Sequence, residues 1–155
     1  MQIKEVEKIV KVNQYVAFDG CVFDDKADCR DYEGLLHDNA VAYIKARCVK
    51  SFSGLDVAFL CESGSEYNVY YVVDVTDTET VFNLQFLLLM YTFDEQERER
   101  LGKLVNDAYN AHARVLVCCW DDDEWEWRGS YMDCLNACSK DLNRIFSSDV
   151  RRWED

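Results

Sequence analysis

A chain of 155 residues that is 49% apolar and 14% aromatic can bury a core, which excludes an intrinsically disordered segment. Its net charge of −13 repels phosphate backbones and acidic membranes, so direct binding to nucleic acid or to a membrane is not expected. A basic protein surface is the partner that such a field attracts.

The N-terminal stretch MQIKEVEKIVKV alternates charged and apolar residues. It lacks the continuous apolar segment of a signal peptide, so a cytoplasmic protein is expected. Its part IKEVEKIVKV reads as an initial strand. There is no proline and no Ser/Gly-rich tract to mark a linker, which predicts one compact domain over residues 1–155. Its sub-units are expected at 1–50, 55–91 and 114–147, with an inserted helix at 92–111.

Residues 14–47 read as a strand (QYVAF), an Asp-Gly turn, a short strand (CVF) and a helix opening at Asp24 or Asp25. Asp25 and Asp28 stand near a capping-box spacing. Residues 55–91 repeat the plan: strand LDVAFLC, a turn at Glu62 to Ser65, strand YNVYYVV, then a helix opened by the T-x-x-E box of Thr76 and Glu79. From Thr78 to Tyr91 that helix is apolar nearly all round, which places it in the core. At about 14 residues it is too short to cross a bilayer, which takes roughly 20.

A separate helix begins at a second T-x-x-E, Thr92 and Glu95. Asp94/Arg98 and Glu99/Lys103 have the favourable acid-first i,i+4 order, and Leu101, Leu104, Val105 and Ala108 form one apolar stripe. Residues 114–147 return to the hairpin plan with strand RVLVCCW, turn DDDE, strand WEW and a helix capped by Ser130 with Asp133. The pattern predicts an α+β fold: three β-hairpin-plus-helix (ββα) units, one inserted helix and mostly antiparallel sheet.

Chemistry-bearing residues are sparse. The eight cysteines contain no C-x-x-C pair, and without an export signal they read as free thiols. Cys134 and Cys138 lie i,i+4, but Cys138 shares an apolar stripe with Leu135, Leu142, Ile145 and Phe146, so a core position is expected and no metal. His37 and His112 are isolated in helical contexts and read as surface or helix-end residues. No phosphate-binding glycine loop occurs, and DDDE lacks the alternating ligand order of a calcium loop. Asp74, at the end of an apolar strand, is the one position where a metal-dependent hydrolase would be centred, yet it has no D-x-D partner. No catalytic residue and no cofactor is therefore assigned, and an enzyme is not the expectation.

The strongest signal is WDDDEWEW at 120–127, where five carboxylates stand between three tryptophans. Residues 55–126 hold sixteen acidic and four basic side chains, a net −12, while 1–54 and 127–155 are nearly balanced. In a strand, Trp125 and Trp127 share one face and Glu124, Glu126 and Arg128 the other. The tryptophans either pack on the final helix or serve as desolvated anchors of an interface. Four consecutive acids in a tight turn repel one another, and no basic residue from 115 to 127 relieves them. A cost carried without local compensation points to a basic partner. Asp121, Asp122, Asp123, Glu124, Trp125, Glu126 and Trp127 are the expected partner-binding residues, the carboxylates standing in for the phosphates of a duplex.

The stretch YVAFDGCVFDDKADCRDYE, residues 15–33, resembles a segment of small accessory proteins of bacteriophages and mobile elements. A short strand, Asp-Gly, an apolar pair, acidic residues, Cys and Tyr-Glu recur in it. Some proteins of that class resemble inhibitors of bacterial defence, including anti-CRISPR proteins that occupy the nucleic-acid groove of an effector. The segment looks like a ββα unit, so no functional residue is carried over. The resemblance implies a phage-encoded, non-enzymatic inhibitor in the cytoplasm of a bacterial host, bound to a basic nucleic-acid-handling protein such as a CRISPR effector. Two other readings stand beside it: a sponge that sequesters a nucleotide signal in an aromatic pocket, and the hydrolase centred on Asp74.

Overall fold

The computed structural model describes residues 13–53, 68–120 and 124–150, with the side chains of 141–150 set aside. The initial strand read at 3–12, the strand LDVAFLC at 55–61 and the acids Asp121 to Asp123 lie outside the described residues. Contacts group the chain into two units, residues 1–38 and 39–155.

In the first unit, β1 (Tyr15–Val16) pairs antiparallel with β2 (Val22–Phe23), Tyr15 opposite Phe23. The Asp-Gly turn forms where the sequence places it: Gly20 takes φ +90°, a left-handed conformation that suits glycine. Asp19 accepts the Cys21 amide at 3.0 Å and the Tyr32 hydroxyl at 2.7 Å. The Phe23 and Tyr32 rings lie 5.1 Å apart, so the hairpin is tied to the helix that follows it. Hydrogen bonds from Cys21 and Tyr32 hold the Asp19 carboxyl below its usual range, and bonds to Cys21 and Asp19 push the Tyr32 hydroxyl well above its own. The helix α1 (Lys26–Arg47) opens just after Asp25, whose carboxylate accepts the Ala27 amide at 2.6 Å.

The second unit is built on a four-stranded antiparallel sheet in the order β3-β4-β5-β6. The strands are β3 (Lys50–Ser53), β4 (Asn68–Asp74), β5 (Arg114–Trp120) and β6 (Glu124–Ser130). The protein is thus α+β with antiparallel sheets. The central strands β4 and β5 carry near-continuous apolar runs because both faces are covered there: Val72, Val73, Val115, Val117 and Cys118 are all buried. β3 was not expected from the sequence; KSFS is short, polar and at the sheet edge.

α2 (Thr78–Leu89) lies in the core as its apolar composition predicts, with Leu84, Phe86, Leu87 and Leu88 buried. It packs on β6 and on α3 (Glu95–Asn110), which turns Leu101, Val105 and Ala108 inward. Both caps differ from the T-x-x-E expectation. α2 is capped by Asp77, which accepts the Thr80 amide at 2.7 Å and the Thr80 hydroxyl at 3.1 Å. α3 is capped by Asp94, which accepts the Glu97 amide at 2.8 Å. A carboxylate one or two residues further on outcompetes a threonine hydroxyl because it accepts as a full charge at the positive end of the helix. Thr92 instead donates its hydroxyl to the Leu88 carbonyl.

The expected Asp94/Arg98 pair does not form either. Arg98 reaches back to the carbonyls of Leu89 and Thr92 at 2.7 and 2.9 Å, closing the end of α2. The pair that α3 makes is Glu97 with Arg100. The final helix α4 (Tyr131–Val150) follows Ser130 directly and packs on β5 and β6. Of its expected stripe, Cys138 is half-buried and Leu135 is exposed, while the side chains of Leu142, Ile145 and Phe146 lie outside the described ones. Among the described residues no helix is long and apolar enough to cross a membrane.

Candidate functional site

The β5–β6 hairpin presents the WDDDEWEW segment. β6 pairs with β5 so that Trp120 faces Glu124, Cys119 faces Trp125, Cys118 faces Glu126 and Val117 faces Trp127. The expected alternation holds at its ends: Glu124 and Glu126 are exposed, Trp125 is buried at 8% exposure and Trp127 is half-buried. The Trp125 ring stacks on Tyr71, centroids 5.4 Å apart and planes 24° from parallel. Of its two readings, Trp125 therefore has the burial of a core residue. Its indole N–H is buried and has no acceptor among the described residues, an arrangement that costs about 1–3 kcal/mol.

The two strands slip register between Leu116 and Val117. The bulge leaves Arg128 without a partner across the ladder and re-aims it. Its guanidinium lies 5.8 Å from the Trp120 ring and 5.9 Å from the Tyr70 ring, and bonds Glu126 at 3.1 Å. The Trp120 indole N–H donates to the same Glu126 oxygen at 3.1 Å. Glu126, which lies outside the four consecutive acids of the turn, thus has a basic partner. Arg128, one residue beyond the base-free stretch 115–127, folds back over it. Glu124 is different. Among the described residues it has neither an ion pair nor a hydrogen bond to its carboxylate.

Beside this hairpin lies a cavity of about 290 Å³. One wall is Trp120, Glu124, Trp125 and Glu126; the other is the end of α2 and the turn after it, through Leu88, Tyr91 and Thr92. Tyr91 is 43% exposed and Phe93, next in the turn, is 94% exposed. Sequence reasoning missed this second wall and Arg128. Only the pair of aromatics in YTFD, placed in a polar turn before a helix cap, signals it.

The other candidates are occupied. Asp74 lies directly opposite Arg114 across β4 and β5, and both its oxygens are taken by that guanidinium at 2.6 and 2.9 Å. The Arg114 bonds hold the Asp74 carboxyl below the usual carboxylate range. Cys134 and Cys138 sit on α4, and burial raises the Cys134 thiol, as it does that of Cys118, away from a reactive thiolate. No disulfide links any two of the seven cysteines among the described residues; Cys61 lies outside them. Among the described residues no three His, Cys, Asp or Glu side chains come together as ligands for one ion. His112 takes a left-handed conformation (φ 47°) at the end of α3.

Comparison with protein-family models, with curated proteins and with solved structures finds no match for this chain.

Proposed function

We propose that the protein is a non-enzymatic acidic binding protein that occupies a basic, nucleic-acid-binding surface of a bacterial effector. In this reading it is a phage-encoded anti-defence inhibitor of the anti-CRISPR kind, acting in the cytoplasm of the host cell. The observation that carries the reading is the mouth of the β5–β6 hairpin. There a carboxylate with no ion pair among the described residues, Glu124, borders an aromatic-walled cavity, next in sequence to Asp121, Asp122 and Asp123, within the segment that holds a net −12.

Exposed Tyr91 and Phe93 supply apolar area of the kind that anchors an interface, and the surrounding acids supply steering and register. A nucleotide signal suits this surface less well, because its phosphates would meet Glu124 and Glu126. Direct binding of nucleic acid is disfavoured by the same field.

The test reverses charge at Asp121, Asp122, Asp123 and Glu124 to lysine and leaves Glu126, which holds Arg128 and Trp120 in place. Each reversal adds two charges, so four move the net charge from −13 to −5. The variant should remain folded by circular dichroism and lose capture of its effector from a bacterial lysate, chiefly through slower association. Wild-type binding should weaken as salt rises past physiological strength, where the screening length is about 8 Å. Duplex DNA or RNA should displace it. A partner held equally by the four-lysine variant, at low and high salt alike, overturns the proposal.

A further inference from the structure

We infer that the cavity beside the β5–β6 hairpin receives a single arginine side chain projected from the basic partner. The inference deepens the proposed function and rests on its claim that the partner surface is basic. Three features of the cavity select this occupant.

The first is size. About 290 Å³ corresponds to about ten waters at about 30 Å³ each. It lies just below the roughly 300 Å³ floor of drug-sized sites, so it suits one long side chain rather than a nucleotide.

The second is chemistry. Trp120 and Glu124 are cross-strand partners, which sets an indole beside a carboxylate that has no ion pair among the described residues. Tyr91 and Trp125 add aromatic surface, and Leu88 an apolar floor for the methylene stem. An aromatic face together with a carboxylate attracts a cation, and a planar guanidinium both stacks on the ring and forks onto the carboxylate, which an ammonium cannot do.

The third is internal precedent. Arg128 already rests over Trp120 and Tyr70 and bonds Glu126 on this same hairpin. A second guanidinium would complete the same pairing at Glu124, the carboxylate that Arg128 leaves unmatched.

The experiment needs no natural partner. The full-length protein, labelled with ¹⁵N, is titrated with the capped tripeptide acetyl-Gly-Arg-Gly-amide and with its citrulline and lysine counterparts, and the tryptophan indole N–H signals are followed. Citrulline keeps the shape of arginine and removes its charge. The arginine peptide should shift the Trp120 and Trp125 signals saturably. Citrulline should bind at least tenfold more weakly, and lysine several-fold more weakly. Glu124→Gln should weaken the arginine peptide about fivefold or more. Asp107→Asn, an exposed acid on α3, removes the same charge elsewhere and should leave binding unchanged.

Equal loss from Glu124→Gln and Asp107→Asn would reduce the effect to overall charge and overturn the inference. Equal binding of the arginine and lysine peptides would make the cavity a general cation site and overturn the assignment to arginine. Absence of any saturable indole shift also overturns it. The two readings fail separately. If the peptide binds but no nucleic-acid-handling effector is captured, the proposed function falls. If the effector is captured and the peptide leaves the indoles unmoved, the cavity assignment falls alone.

Discussion

Trp125→Ala is the most decisive perturbation of the fold around the site. The ring is 92% buried, by its 8% exposure, and a buried aromatic removes about 150–250 Å² from water. At about 25 cal/mol per Å² that burial contributes about 4–6 kcal/mol, an upper bound because unfolded chains are themselves partly compact. Loss of the stack on Tyr71 adds about 0.5–1.5 kcal/mol. Against this, alanine also removes the buried indole N–H that has no acceptor among the described residues, returning about 1–3 kcal/mol. A net loss of about 3–4 kcal/mol is expected.

Urea unfolding followed by far-ultraviolet circular dichroism measures it without relying on the deleted fluorophore. With a slope of about 2 kcal/mol/M, the midpoint should fall by about 1.5–2 M. Trp125→Phe keeps an aromatic ring against Tyr71 and discards the orphan N–H, so it should cost less than about half as much. An unchanged midpoint for the alanine variant would refute the core assignment. A phenylalanine variant as unstable as the alanine one would show that the indole N–H is bonded after all.

Other expectations test the remaining assignments. Asp77→Ala should destabilise the protein by about 1–2 kcal/mol, since it loses the Thr80 amide and hydroxyl together, while Thr76→Ala should stay within about 0.5 kcal/mol; the reverse order in thermal melts would restore the threonine cap. Asp74 is held below its usual range by Arg114, so its contribution is present above the unfolded value of about 4 and is lost as pH falls through the lower folded value. Asp74→Asn should therefore lower stability at neutral pH by no more than about 1 kcal/mol, the pair being substantially exposed. Its difference from wild type should fade in acid, and a constant difference from pH 7 to pH 2 would contradict the pairing. A double-mutant cycle between Glu126→Gln and Arg128→Ala should return a coupling of about 0.5–1 kcal/mol, and zero coupling at low salt would mean that the contact is not formed in solution.

The parts legible in the sequence are those fixed by local pattern. YNVYYVV and RVLVCCW read as strands because unbroken apolar runs of five (VYYVV) and six (VLVCCW) residues between polar ends have few other uses. The Leu101, Val105 and Ala108 spacing set the inward face of α3. The caps were displaced because T-D-T-E-T at 76–80 contains two overlapping starts, and spacing alone does not rank a carboxylate above a hydroxyl. β3 was hidden because KSFS becomes a strand only through its ladder to β4. For the α4 stripe, periodicity identifies which residues share a face but not whether anything covers it: Leu135 is 43% exposed and Cys138 half-buried. The candidate site was half legible. Its acids and tryptophans are contiguous in sequence, whereas Leu88, Tyr91 and Thr92 reach it only through the packing of α2 on β6.

The division of labour within the hairpin follows from one local irregularity. In a regular ladder Arg128 would have stood opposite a β5 residue; the slip at Leu116/Val117 takes it out of the ladder, and it returns over Trp120 to Glu126. Glu126 thereby becomes a structural acid, bonded by an indole N–H as well as a guanidinium, and its charge is largely spoken for within the chain. Glu124 sits two residues nearer the turn, on the same face, and the same arginine is already committed. A count of acids treats the two alike, but a partner cannot. Glu126→Gln should chiefly alter stability and Glu124→Gln chiefly binding, so that exchange of these two phenotypes would show that the negative charge of this segment acts as a diffuse field rather than through one available carboxylate.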